Sequence, residues 1–223
     1  MKRSLALGLL LSSCILPGSV CAEPVLVDRA VVRFEAPETG GARRPRFVFE
    51  RELSFEARLE ALADPDRGTL GELPYRDRHV TGALDRHIAE TILGALRIEP
   101  EPTPAELANQ SQLARRMLSD RAGGEEALDA AREAEGLSER EFGRLLLQKA
   151  RASLYLDRMV TPMLEPGEFE LRRAHRSGKT PFSDMPFDQA RPLVERWFVG
   201  HALRTAAANF YQSARSRLKI EFL

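Results

Sequence analysis

Both ends of this 223-residue chain carry strand-like patterns while nearly everything between them carries helical ones, and that arrangement narrows the available folds sharply. Residues 25–34 are rich in β-branched side chains, with Leu26, Ala30, Val32 and Phe34 on one side of an alternating pattern. Residues 218–222 (Leu-Lys-Ile-Glu-Phe) alternate strictly and read as an edge strand. After the first segment, Pro37, Gly40, Gly41 and Pro45 form a long turn, and Phe47 and Phe49 then alternate with Arg46, Val48 and Glu50 as the second arm of a hairpin. A hairpin alone is marginally stable. The economical solution adds the last strand to it, giving a small antiparallel sheet covered by the long terminal helix. The expected class is therefore α+β, mostly α, in one domain over 23–223: a hairpin at 25–51, a helical core at 52–176, and a closing helix and strand at 187–223.

The helices are bounded by clear signals. From Glu52 the spacing turns helical, with Leu53, Leu59 and Leu62 ahead of a loop containing Asp64, Pro65, Gly68 and Pro74. Val80, Leu84, Ile88, Ile92 and Leu96 recur every four residues and predict a helix over 76–98. Thr103, Pro104 and Glu106 form a capping box with proline at the first helical position, opening a helix that carries Leu107, Leu113, Met117 and Leu118. Gly123-Gly124 stops it, Gly136 ends a shorter one, and Ser138 with Glu141 caps the next. That helix carries Phe142, Leu145, Leu146, Leu156 and Met159, and Pro162 should end it; it is the expected central helix. A short helix over 168–176, a breaker-rich loop over 177–186 and a long helix over 188–217 follow. Pro192 lies early in the long helix, and Leu193, Trp197, Leu203, Phe210 and Ala214 are its expected packing face.

Residues 1–22 have the form of a secretory signal: basic Lys2 and Arg3, an apolar run over 5–16 too short to span a bilayer, and a Val20-Cys21-Ala22 cleavage site. Cleavage there predicts a periplasmic protein. The alternative is a lipoprotein anchored through Cys14, since Leu11-Ser12-Ser13-Cys14 also fits a lipobox; Ile15 and Leu16, which continue the apolar run, favour soluble export. Cleavage after Ala22 removes both cysteines, Cys14 and Cys21, so no disulfide, thiolate nucleophile or cysteine metal site is expected. The 33 basic and 33 acidic residues balance, and loss of Lys2 and Arg3 leaves an excess of two acids. Interspersed charge of this kind argues against a nucleic-acid partner, which would need clustered Lys and Arg.

No constellation points to catalysis. Residues 173–180 end in Gly178-Lys179-Thr180 like a phosphate loop, but Arg173 replaces the first glycine and no strand leads in, so no nucleotide is expected. His87 and Glu90 are three apart on a helix and lack further ligands; they read as neighbours on an exposed face, and no metal is expected. His79, His175 and His201 have no ligand spacing, there is no Gly-x-Ser-x-Gly elbow, and Asp64-Asp66 and Glu125-Glu126 sit in polar surroundings. Met159 and Met163 around Pro162, and Phe182, Met185 and Phe187 in the late loop, fall outside good helical stripes. Core packing is their ordinary role; contact with a polypeptide client is the functional alternative, because methionine adapts to many apolar partners.

Taken in order, these segments resemble the N-terminal chaperone domain of SurA and related periplasmic parvulin-type foldases. Residues 27–32 look like its opening strand, and 83–98 followed by Pro102-Thr103-Pro104-Ala105-Glu106-Leu107 are similar to its first long helix and second helix start. Residues 131–142, with Gly136 and the capped helix at Ser138, are the most specific match, and 181–222 resemble the closing helix and strand. The resemblance implies an ATP-independent holdase for unfolded or outer-membrane proteins, with no cofactor. The family's prolyl isomerase module has no room here, because only residues 167–186 occupy its place, so no enzyme activity is expected. The long turn over 35–46 is a second departure from the family pattern. An envelope scaffold binding one folded partner, and a degenerate prolyl isomerase, are the alternatives. Contact with a membrane is expected only if Cys14 is lipidated.

Overall fold

The computed structural model describes residues 28–66 and 74–223; residues 1–22, expected to be a secretory signal, with Cys14, and the first residues of the predicted opening strand lie outside them. Strands β1 (Ala30–Glu35), β2 (Arg46–Phe49) and β3 (Lys219–Phe222) form one antiparallel sheet in the order β2-β1-β3. The two ends of the described chain thus meet, with Phe34 opposite Ile220 and Val32 opposite both Val48 and Phe222. The Leu223 amide extends the ladder by donating to the Val31 carbonyl at 3.0 Å. Val32 and Phe34 point inward, as their alternation requires.

The β2 strand forms where its alternation predicts, and the structure decides which of its faces turns inward. Val48 is fully buried and Phe47 is 44% exposed, so the valine, not the phenylalanine, faces the core. Its register is set by the Val32–Val48 pair, and a shift between Ala30 and Val32 accommodates the direct run from β2 into the first helix. The long turn between β1 and β2 is built from two 3-10 turns joined at Gly40 and Gly41, whose φ values of 106° and 59° disfavour a side chain.

Seven helices follow in the described residues: α1 (Glu50–Leu62), α2 (Asp77–Ala95), α3 (Pro104–Ala122), α4 (Glu125–Ala134), α5 (Glu139–Tyr155), α6 (Glu168–Arg176) and α7 (Phe187–Arg215). Both sequence-derived capping boxes form. The Thr103 hydroxyl accepts from the Glu106 amide at 3.2 Å and the Ser138 hydroxyl from the Glu141 amide at 3.3 Å, while each glutamate reaches back to its cap amide at 2.8 Å. The α5 helix ends as an α-helix at Tyr155, earlier than Pro162 demands. The backbone widens into one π-turn (Leu156–Val160), then a 3-10 turn (Thr161–Leu164), so the Thr161 amide bonds the Leu156 carbonyl just before the proline that has no amide to give.

Three apolar clusters hold these elements. Under the sheet, Val32, Phe34 and Val48 meet Leu53 of α1, Leu84, Ile88 and Ile92 of α2, and Tyr211 and Ala214 of α7. On the other side of α1, Phe55 and Leu59 join Leu118, Leu128, Leu137 and Leu145, with the Phe55 ring edge-on to Phe142 at 5.6 Å. The third cluster is small: Leu171 of α6 with Ala190 and Val194 of α7.

The α7 helix is consequently buried fully only near its ends and at most half-buried between them. None of residues 195–210 is buried, and of the expected packing face only Ala214 is. Trp197 instead stacks on His201 along the helix, with ring centroids 5.4 Å apart. At its C-terminal end the Tyr211 hydroxyl donates to Asp85 Oδ1 at 2.7 Å, tying α7 to α2. Leu113 and Met117 also depart from expectation, at 45% and 64% exposed, because α3 turns only its Leu118 and Ala122 side fully inward.

Candidate functional site

Helix α6 packs on the first turns of α7, and the 3-10 turn of residues 161–164 also contacts α7; these segments and the loop over 177–186 carry Met163, Phe182, Met185 and Phe187 of the residues suggested by the sequence as client contacts, with Met159 just before them. They do not behave alike. Met163 is 74% exposed and Met185 is 37% exposed. Met159, in the π-turn, is half-buried, and Phe182 and Phe187 are half-buried against the Leu171 cluster. The Phe187 ring is covered by the Arg172 guanidinium at 4.3 Å and met by the His175 ring at 5.5 Å. His175 also holds the loop over 177–186 in place: its Nε2 lies 3.1 Å from the Phe182 carbonyl and 3.0 Å from that of Met185. Carbonyls only accept, so this nitrogen carries the proton.

Phe169 was missed, and it is 69% exposed. A signal for it exists. Leu171 and Ala174, three apart, mark the inward face of the nine-residue α6, and Phe169, two positions before Leu171, must point almost the opposite way. The Gly178-Lys179-Thr180 segment follows the C-terminal end of α6, where the helix dipole is negative and opposes a phosphate.

A second constellation lies inside the helical core and corrects the reading of His87. That residue is buried, not on an exposed face, and its Nδ1 is 2.9 Å from Glu56 Oε2 of α1. Lys149 of α5 donates to Glu56 Oε1 at 2.6 Å and to Glu90 Oε2 at 2.5 Å. His87 and Glu90 therefore have separate partners. Among the described residues no group of three or more metal-binding side chains occurs.

Burial pushes the Glu56 carboxyl up, but the Lys149 ammonium and His87 more than offset it and hold it at about 2. Burial likewise pulls His87 and Lys149 down, and Glu56 reverses both, leaving each above its ordinary value. At neutral pH the lysine is thus a locked cation bridging two carboxylates. It is not available as a base, and the cluster's work is to fasten α1, α2 and α5 together.

Beside this cluster a cavity of about 300 Å³ opens between α2, α3 and α5. At one end Arg86 of α2 and Arg121 of α3 both pair with Glu60 of α1. Burial lowers both guanidinium pKa values, and for Arg86 the neighbouring Arg121 adds to the effect. Leu93, Ala114, Leu118 and Leu156 form apolar wall, and Met117 stands at the rim.

No family model, no curated protein and no solved structure matches this chain.

Proposed function

We propose that the chain is a non-catalytic holdase for exported polypeptides, binding apolar segments of unfolded or nascent proteins without nucleotide, metal or cofactor. The observation that carries this reading is the placement of exposed large apolar side chains. Three of the nine exposed large apolar side chains among the described residues, Met163, Phe169 and Met185, lie on α6, the loop after it or the 3-10 turn that contacts α7, a region whose fully buried apolar side chains are Leu171, Ala190 and Val194. Such side chains on a lightly packed unit can re-pack around many clients, and methionine suits that role. Holding requires no chemistry: binding the unfolded state lowers the free concentration of aggregating chain by mass action.

The pairing of β1 with β3 supports the kinship with SurA-type chaperone domains, since that resemblance requires both ends of the domain in one sheet. The reading places the protein in the periplasm after removal of residues 1–22, or on a membrane surface if Cys14 is lipidated. Light scattering of a denatured outer-membrane protein, diluted into a stoichiometric amount of this one, tests it. Suppression of scattering is expected. A combined Met163→Ser, Phe169→Ser, Met185→Ser variant with unchanged circular dichroism should lose most of it. A folded wild type without effect, or a variant as active as wild type, would overturn the proposal.

A further inference from the structure

The sheet order β2-β1-β3 leaves β3 paired on one side only, and among the described residues no strand pairs with its other side. A strand edge with unpaired amides and carbonyls is a template for a further strand. The register shows which groups are free. The Leu223 amide donates to the Val31 carbonyl, continuing the ladder in which Phe222 faces Val32 and Glu221 faces Arg33. Hydrogen-bonded and non-hydrogen-bonded pairs alternate in an antiparallel ladder. Glu221 and Lys219 therefore bond inward to β1, as Leu223 does, and the amides and carbonyls of Ile220 and Phe222 point to the open edge. Leu218 is in the same phase, but its amide is given to the Arg215 carbonyl at 3.2 Å, so only its carbonyl can serve the edge.

Residues 218–222 read Leu-Lys-Ile-Glu-Phe, an order that is self-complementary about Ile220. With a second copy laid antiparallel so that Ile220 faces its own equivalent, Lys219 falls opposite the partner's Glu221 and Leu218 opposite the partner's Phe222. Symmetry repeats each pair. The free backbone groups fit the same register: each Ile220 amide meets the other copy's Ile220 carbonyl, and each Phe222 amide meets the other copy's Leu218 carbonyl. The Lys219 side chain has no ion pair or hydrogen bond among the described residues. Glu221 is bonded by Arg33 at 3.0 Å and stays half-exposed, so it can accept a second cation. On the core side, Leu218 and Ile220 pack against the cluster under the sheet, whereas Phe222, in the same row, is 74% exposed. The partner's Leu218 would cover it. The β2 edge offers no such match, because Arg46 is its sole charge and any self-pairing would repeat one sign.

We propose that the β3 edge recognises a second copy of this chain, the two sheets joining antiparallel through residues 218–222 about a two-fold axis at Ile220. Opposite charges and apolar side chains placed directly across a strand pair stabilise it, and the apolar row fixes the register, since a slip of one residue would set Lys219 against an apolar neighbour. The paired segment is short, so the association is weak and concentration-dependent. It lies at the end of α7 away from α6 and does not rest on client holding.

Sedimentation equilibrium of the whole chain, from micromolar to millimolar concentration, tests it. A reversible equilibrium between monomer and dimer is expected. Lys219→Glu and Glu221→Lys should each weaken self-association by about tenfold, because each sets like charges opposite one another twice. An equimolar mixture of the two variants should recover the dimer, since every opposed pair then has opposite signs. Phe222→Pro should abolish it with unchanged circular dichroism, because the amide removed points to the open edge and the side chain is exposed. Should that variant fail to fold, the mixture decides the matter, as Lys219 and Glu221 are both exposed. A folded chain that stays monomeric would overturn the proposal and leave the edge to an extended segment of another protein. Growth beyond the dimer, charge variants that associate like wild type, or a mixture no tighter than either variant alone would each overturn it as well.

Discussion

The helical core and the α6–α7 unit are built from the same kinds of residues and reach different degrees of fixity. In the core, α1 has apolar clusters on both sides, Phe55 meets Phe142 edge-on, and a buried ion cluster joins three helices. In the α6–α7 unit three small or medium side chains are buried, and the larger ones lie half-covered or exposed. Regions with few buried contacts open locally at a small fraction of the global free energy. Under the proposed function the two regions would have separate tasks: the core keeps a shape, and the unit outside it yields to a partner.

The largest test of this division is Phe142→Ala, which removes a fully buried ring from the core and should cost about 3–5 kcal/mol of global stability, read from urea denaturation. In the α6–α7 unit Val194→Ala also empties a fully buried position. There, hydrogen exchange should quicken over residues 168–194 while α2 and α5 stay protected. Equal acceleration in α5 would show that the two regions unfold as one and break the comparison.

The ion cluster gives the core a pH signature carried by buried groups, whereas the lowered carboxyl of the α6–α7 unit, Glu168 beside Arg191 and Arg172, is half-exposed. Glu56, held at about 2 against an ordinary 4.5, contributes stability that is fully present above 4.5 and fades as pH falls toward 2. His87, raised above its ordinary 6.5, contributes stability that is fully present below 6.5 and is lost as pH rises through its folded value. The urea midpoint should therefore fall on both the acid and the alkaline side. Glu56→Gln, which removes the common partner, should lower the midpoint between 4.5 and 6.5 and flatten both limbs; a variant with unchanged limbs would remove the cluster from the account. The smallest stability effects belong to Met163→Ser and Phe169→Ser, each within about 0.5 kcal/mol, because neither side chain is packed. A larger loss at either position would place it in a buried contact and withdraw it from the client surface.

Much of the framework was legible because it depends on residues within a few positions of one another. The caps at Thr103 and Ser138, the positive-φ glycines at 123, 124 and 136, and the alternation of Val32 with Phe34 are local facts of backbone and side chain. The meeting of β1 and β3 followed from a slightly longer argument, namely that two short strand patterns at opposite ends of a helical chain have no other partner. Phe169 was also within reach, through the single inward face of α6.

What the amino-acid order settled by itself was where each element starts and stops, since capping, glycine conformation and side-chain alternation act over one or two turns. The face of β2, the half-buried middle of α7 and the pairing of Glu56 with His87 and Lys149 were decided only by tertiary structure. Glu56 stands 31 residues from one partner and 93 from the other, and nothing in its own neighbourhood marks it as buried or names its counter-ions. A carboxylate on a helix is ordinarily solvated. It becomes a buried anion only when packing brings cations from other helices close enough to offset the cost of leaving water.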